Sequence, residues 1–232
     1  MWQHVSDGDP ALGTVLMFPA TGAGAPAFRS MAALEGERSV WAYCPPGRGR
    51  RLLEPGIHDI NEFVARVMES LEVPQGPLVV AGVSFGAALA FNVCAALEAE
   101  AAGAARLVAL CGLSPSSYRQ QEEGWDLGSA RARMIDYGLT PPAVLEFDEA
   151  EDLFVRPTLD DLLLAESYNG TEAAPIAAPI VCVAASDDRL VPLTEADGWR
   201  RATTSDFNLI HVDGGHYAHT KFGRWEWLNV LA

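Results

Sequence analysis

Between Pro77 and Leu97 the chain reads PLVVAGVSFGAALAFNVCAAL, and this stretch constrains the fold more than any other. Leu78, Val79 and Val80 form the short apolar, β-branched run expected of a buried parallel strand. From Ala87 to Leu97, alanine, leucine and phenylalanine favour helix and no proline interrupts. Between the two lies Gly82-Val83-Ser84-Phe85-Gly86, a G-x-S-x-G in a strand–turn–helix setting. A serine at the tip of such a turn sits in a strained backbone conformation. Strand and helix then pass so close that side chains two residues either side would clash, which explains the glycines. The helix that follows aims backbone N–H groups and a partial positive charge at an anion forming beside the serine.

A chain of 232 residues accommodates one well-buried α/β domain, and the expectation is a single domain over 1–232. No apolar run reaches the roughly 18 residues needed to span a membrane, and the start of the chain shows no basic-then-apolar leader pattern. A cytoplasmic, monomeric protein is expected. Cys44, Cys94, Cys111 and Cys182 are widely spaced, and three lie in apolar runs, so they read as reduced, buried side chains. The net charge is −15, with one lysine, Lys221, among 16 basic residues. Nucleic acid, which requires a basic face, is excluded as a partner.

The strands follow one another with helices between. Thr14 to Phe18 reads as a buried strand and leads into a small-residue loop, Pro19 to Pro26, before Phe28 to Leu34 resumes as helix. Ser39 to Tyr43 is a second strand, followed by a turn with three arginines, Arg48, Arg50 and Arg51. Ile57 to Leu71 places Ile60, Phe63, Val64, Val67, Met68 and Leu71 on one helical face. Strands are expected again at Arg106 to Gly112, Pro179 to Ala185 and Phe207 to Val212. Shorter helices are expected at Thr194 to Arg201 and Arg224 to Leu231. This alternation predicts parallel strands with right-handed crossovers. The rhythm breaks from about 114 to 172, where patterns such as Leu127 to Tyr137 and Thr158 to Tyr168 predict a helical insertion rather than a long structureless loop. Above the serine, such an insertion would act as a lid.

Two further groups complete a constellation. Ser186-Asp187-Asp188-Arg189 ends the strand at Pro179 to Ala185, and Asp213-Gly214-Gly215-His216 ends the last one. The order Ser84, then aspartate, then His216 is that of the α/β-hydrolase fold, each member on a loop at the carboxyl end of a strand. His216 would take the serine proton and the aspartate would hold the imidazole in one tautomer. Asp188 fits through the Asp-x-x-Val spacing to Val191, with Asp187 as alternative. Among five histidines, His219 is second to His216.

With these residues in view, the chain resembles the type II thioesterases associated with polyketide and nonribosomal peptide assembly lines. Phe18-Pro19-Ala20-Thr21-Gly22-Ala23-Gly24 through Ala27-Phe28-Arg29-Ser30 is similar to that family's FPHAGGSxxxYRSW segment. Pro46-Gly47-Arg48-Gly49-Arg50-Arg51 is similar to its PGRGxR loop. Glu166-Ser167-Tyr168 matches the end of its lid helix, and Gly214-Gly215-His216-Tyr217 its GGHF. The resemblance implies an α/β-hydrolase with a mostly parallel sheet, hydrolysing acyl thioesters from the phosphopantetheine arm of a carrier protein. It implies Ser84, Asp188 and His216 as triad and the Thr21 and Phe85 N–H groups as oxyanion hole. It calls for no cofactor and no metal. The departures are Val83 and Phe85 where the family has GHSMG, and Ala20-Thr21 in place of His-Ala.

Carrier proteins of such systems are acidic, as is this chain, so docking calls for a local basic patch. Arg48, Arg50 and Arg51 are the candidates, with Arg200 and Arg201 behind them. The alternatives to an editing thioesterase are a discrete releasing or cyclising enzyme, a small-substrate carboxylesterase, and a catalytically dead binding module.

Overall fold

A computed structural model describes residues 1–9, 11–34, 38–73, 76–100, 105–119, 124–138 and 140–218. The β-branched and apolar runs become β1 (Trp2–Ser6), β2 (Thr14–Phe18), β3 (Ser39–Tyr43), β4 (Leu78–Val83), β5 (Ala105–Leu110), β6 (Ile180–Ala185) and β7 (Phe207–Val212). They pair in the order β1-β3-β2-β4-β5-β6-β7. Every pairing is parallel except β1 on β3. The expected mostly parallel α/β sheet is therefore present, with one antiparallel edge. In register, Phe18 lies beside Gly82 and Gly82 beside Ala109. The loops that leave β2, β4, β6 and β7 consequently emerge along one edge of the sheet, where ligands of parallel α/β sheets bind.

β1 has no counterpart among the strands expected from sequence. Its five residues bury only Ser6 fully, so WQHVS lacks the apolar run that marks the central strands. It is a short edge strand completed by its partner β3.

Among the described residues, the α-helices packed on the sheet lie on one of its faces. α1 (Ile60–Ser70) starts where Asp59 Oδ1 accepts the N–H groups of Asn61 and Glu62, both at 2.9 Å. That cap shortens the expected Ile57 to Leu71 helix. α2 (Phe85–Ala99) follows the serine directly, two residues earlier than expected, and is buried over most of its circumference. The sheet's alternation sorts the core. Leu16, Phe18, Val80, Leu107 and Cys182 face α1 and α2, while Val15, Met17, Val79, Val108 and Val181 face the other side. Phe18, Tyr43 and Phe63 stack edge-on or tilted, with centroids 5.4 to 6.0 Å apart.

The expected helix at Phe28 to Leu34 is instead a 3-10 winding over Ala25–Leu34. Pro26 has no N–H to give, and Ala27 N–H closes an i to i+3 bond onto Gly24 at 2.9 Å, so the tighter winding is set at its first turn. Between β5 and β6 the described residues hold no strand. They form α3 (Leu127–Asp136), a 3-10 turn (Pro142–Glu146), a π turn (Glu151–Val155) and α4 (Arg156–Ser167). Ala130, Met134, Leu145 and Val155 make the small core of this insertion. α4 begins before Thr158 because Pro157 suits a helix's first turn. α5 (Glu195–Arg201) follows β6. The expected helix Arg224 to Leu231 lies outside the described residues. Among those described, no helix is long and apolar enough to cross a membrane.

Candidate active site

Ser84 is placed by a turn that only this sequence pattern permits. Its φ is +54° and its ψ −122°, a region costing roughly 1–3 kcal/mol for a residue with a side chain. The surroundings enforce it. A Cβ on Gly82 would lie 1.9 Å from the Gly86 carbonyl oxygen, and one on Gly86 would lie 2.4 Å from that of Phe18. Ser84 N–H is bound to Leu110 at 2.9 Å, anchoring the turn to the neighbouring strand.

The loops after β6 and β7 supply the next two groups. Asp188 Oδ1 accepts the N–H groups of Leu190 at 2.8 Å and Val191 at 3.0 Å. This accounts for the Asp-x-x-Val spacing: the turn ties down one carboxylate oxygen and leaves Oδ2 to face His216 Nδ1 at 2.8 Å. The side chains of His216 and Asp188 are 8% and 1% exposed, so this contact is shielded from water. Asp187 points elsewhere. Its side chain is exposed beside Ser186, and its N–H meets Gly214. Of the two aspartates, Asp188 meets the ring. His219 lies outside the described residues.

Ser84 and His216 open into one cavity of about 290 Å³. Ala20, Thr21 and Phe85 line it on the sheet side, and Trp125, Arg133, Tyr137, Leu162 and Glu166 line it from the insertion. With Nδ1 held by Asp188, Nε2 is the imidazole nitrogen available for proton transfer. Thr21 occupies a tight turn in which Ala23 N–H returns to the Ala20 carbonyl at 2.9 Å, and Gly22 takes the positive φ, +74°, that such a turn demands. Phe85 is the first residue of α2, where backbone N–H groups lack helical partners. Its ring packs 5.8 Å from Tyr118, which in turn lies 5.4 Å from Tyr168, an aromatic row under the cavity. Burial pushes the Tyr118 and Tyr168 hydroxyls above the ordinary phenol range.

The arginine turn differs from the expectation of a docking patch. Arg48 is turned inward, its guanidinium bound to both oxygens of Asp161 at 2.7 and 2.8 Å and to the carbonyls of Ala23 and Pro157. Arg51 is buried against Glu54 and the Cys44 carbonyl. Both guanidinium groups are engaged within the chain, because this turn packs under the insertion instead of projecting from it. Arg50 is exposed. Sequence reasoning missed Asp161, whose partner lies far away in the chain, and Glu195. The latter's carboxylate accepts from Ser114 N–H and from the Ser114 and Ser117 hydroxyls at 2.7 to 2.9 Å, fixing the start of the insertion. The four cysteines are free, and three are buried. No group of three potential metal ligands occurs among the described residues.

A mostly parallel sheet with a serine at a sharp strand-to-helix turn, and a paired aspartate and histidine on later strands, defines the α/β-hydrolase class. The family model for the thioesterase domain matches residues 13–224, and the chain belongs to that family. It is 30% identical over 178 residues to a probable cadicidin biosynthesis thioesterase of Streptomyces griseus, covering 76% of this chain and 49% of that protein. It is 27% identical over 222 residues to the AMB antimetabolite synthetase AmbE of Pseudomonas aeruginosa, covering 93% of this chain and 10% of that one. The chain thus spans about half, or far less, of the length of these relatives. In structure it superposes on YbtT, a type II thioesterase from the yersiniabactin pathway. The TM-score is 0.87 at 23% identity, covering 100% of this chain and 96% of that one.

Proposed function

We propose that the protein hydrolyses acyl thioesters carried on the phosphopantetheine arm of a carrier protein, clearing aberrant or stalled units from a polyketide or nonribosomal peptide assembly line. The observation that carries this reading is the shielded 2.8 Å contact between His216 Nδ1 and Asp188 Oδ2, in a cavity that also holds Ser84. The likeness to a probable cadicidin biosynthesis thioesterase and to YbtT, a type II thioesterase, supports the pathway setting.

The chemistry follows from the roles. Ser84 Oγ attacks the thioester carbonyl carbon as His216 Nε2 takes the hydroxyl proton, and Asp188 stabilises the imidazolium. The Thr21 and Phe85 N–H groups receive the developing oxyanion. The C–S bond then breaks, the sulfur leaves with the proton as a thiol, and the acyl group remains on Ser84. Water attacks the acyl-serine, giving one proton to His216, which returns it to Ser84 Oγ as the free acid departs. No cofactor takes part.

The insertion acts as a lid, contributing half of the cavity wall. At about 290 Å³ the cavity is at the small end of ligand pockets. Docking of an acidic carrier to a −15 protein is weak and transient. Long-range repulsion is screened beyond about 8 Å at physiological ionic strength, so a few exposed cations such as Arg50 suffice locally.

The test is a panel of acyl-phosphopantetheinyl carrier proteins, acetyl to long-chain, followed by intact mass with Ser84→Ala as control. Slow, broad hydrolysis of short chains, abolished in the control, is expected. Turnover of only a long peptidyl or polyketide thioester would replace editing with chain release. Equal rates on simple oxygen esters would favour a carboxylesterase.

A further inference from the structure

The loop that holds Thr21 is fastened to α4, not to the sheet alone. Gly22 N–H donates to Asp161 Oδ2 at 2.8 Å. Arg48 donates to that same oxygen at 2.8 Å through Nη1, and to Oδ1 at 2.7 Å through Nη2. Nη1 also reaches the Ala23 carbonyl at 2.6 Å and Nη2 the Pro157 carbonyl at 2.9 Å, while Nε donates within its own turn to the Pro46 carbonyl at 3.4 Å. One guanidinium therefore bridges the loop after β2 and the first turns of α4. The two side chains are only 11% and 15% exposed. The approach is tight: a Cβ on Gly22 would lie 2.6 Å from Thr158 Oγ1. α4 also carries Thr158, Leu162, Ala165 and Glu166 on the cavity wall.

We propose that Arg48 and Asp161 are positioning residues that hold the Thr21 N–H at its oxyanion-binding place, so that the oxyanion hole is complete only while α4 is seated. The proposal rests on the thioesterase reading for its substrate but not for its geometry. By taking up the Gly22 N–H, Asp161 settles which amide of the loop is left for the oxyanion. By bonding the Ala23 carbonyl, Arg48 fixes the other end of the same turn. A four-acceptor bridge of this shape requires a planar, multi-donor guanidinium; an ammonium in its place keeps the charge but not the geometry.

Arg48→Lys and Asp161→Asn test it. For each variant the reactive Ser84 is counted with a fluorophosphonate, kcat and KM are measured on an acyl thioester, and the Kd of an alkyl boronic acid is measured. The boronic acid, once tetrahedral on Ser84, places an oxygen where the oxyanion forms. Expected is a kcat per titrated serine about tenfold lower, milder than the 10²–10³-fold loss of a whole donor, with KM within twofold. The boronate Kd rises by a similar factor, and the double variant is no worse than the weaker single one, as for residues of one network. A lower serine count with unchanged kcat per serine would show packing alone and overturn the proposal, as would an unchanged boronate Kd. If the wild-type protein turns over no thioester, the thioesterase reading falls, while the boronate measurement still decides the latch.

Discussion

Asp188 and His216 meet through one oxygen and one nitrogen, Oδ2 and Nδ1 at 2.8 Å, while the other carboxylate oxygen is held by the amides of Leu190 and Val191. The carboxylate is thus fixed from its own loop before the imidazole arrives, and the imidazole is left with a single tautomer to adopt. Substituting Asp188 by Asn presents an amide where the ring needs an acceptor. The expected loss in kcat is on the order of 10⁴-fold with KM little changed. Asp187→Asn, at an exposed side chain, is expected to stay within twofold. Steady-state kinetics of the two variants on one acyl thioester checks the assignment.

The elbow tolerates no added methyl. A Cβ at Gly82 falls 1.9 Å from a backbone oxygen that has no freedom to withdraw. Gly82→Ala is expected to destabilise by about 3 kcal/mol or more and to abolish turnover, since relief requires moving α2. Denaturant unfolding monitored by fluorescence, beside the same assay, measures both.

Phe63 offers the opposite separation. It is 1% exposed and packs with Phe18 and Tyr43 on the face of the sheet covered by α1 and α2. Phe63→Ala is expected to cost about 3–5 kcal/mol while leaving kcat close to wild type at temperatures where the protein stays folded. Chemical denaturation together with kcat at low temperature tests this.

Burial pushes the Cys111 and Cys182 thiols up to about 12. At pH 8 the thiolate fraction of each is about one in ten thousand, so iodoacetamide should leave both untouched in the native protein and modify them on unfolding. The sign for stability follows. Because the folded value lies above the unfolded one, the contribution is complete below about pH 9 and is lost as pH rises toward 12. Cys182→Ala should flatten the alkaline fall in stability, and unfolding midpoints of the two proteins across that range decide it.

What the sequence disclosed was what neighbouring residues decide. Ser39–Tyr43 and Phe207–Val212 appear at their expected bounds because each is a short run with turn residues on both sides. The Asp188 spacing was readable because its meaning is a turn closed within three residues. Asp161 was not readable. It looked like one more acid on a helix, and its role arises from Arg48, which the fold brings to it from the other end of the domain. The same distance hid the inward turn of Arg48, while Arg51 turns in on local partners, Glu54 and the Cys44 carbonyl; as sequence neither is distinguishable from the exposed Arg50. β1 escaped notice because an edge strand is made by the partner it pairs with more than by its own residues.

Thr21, Ser84, Asp188 and His216 stand at the ends of four different strands, β2, β4, β6 and β7, spread across most of the sheet. Only a fragment that runs from Thr21 to His216 contains them all, and no half-assembled sheet brings them together. On the function proposed above, turnover therefore requires the sheet to be paired from β2 through to β7. For the same reason, turnover per mole of protein counts finished molecules more strictly than any spectroscopic measure of secondary structure.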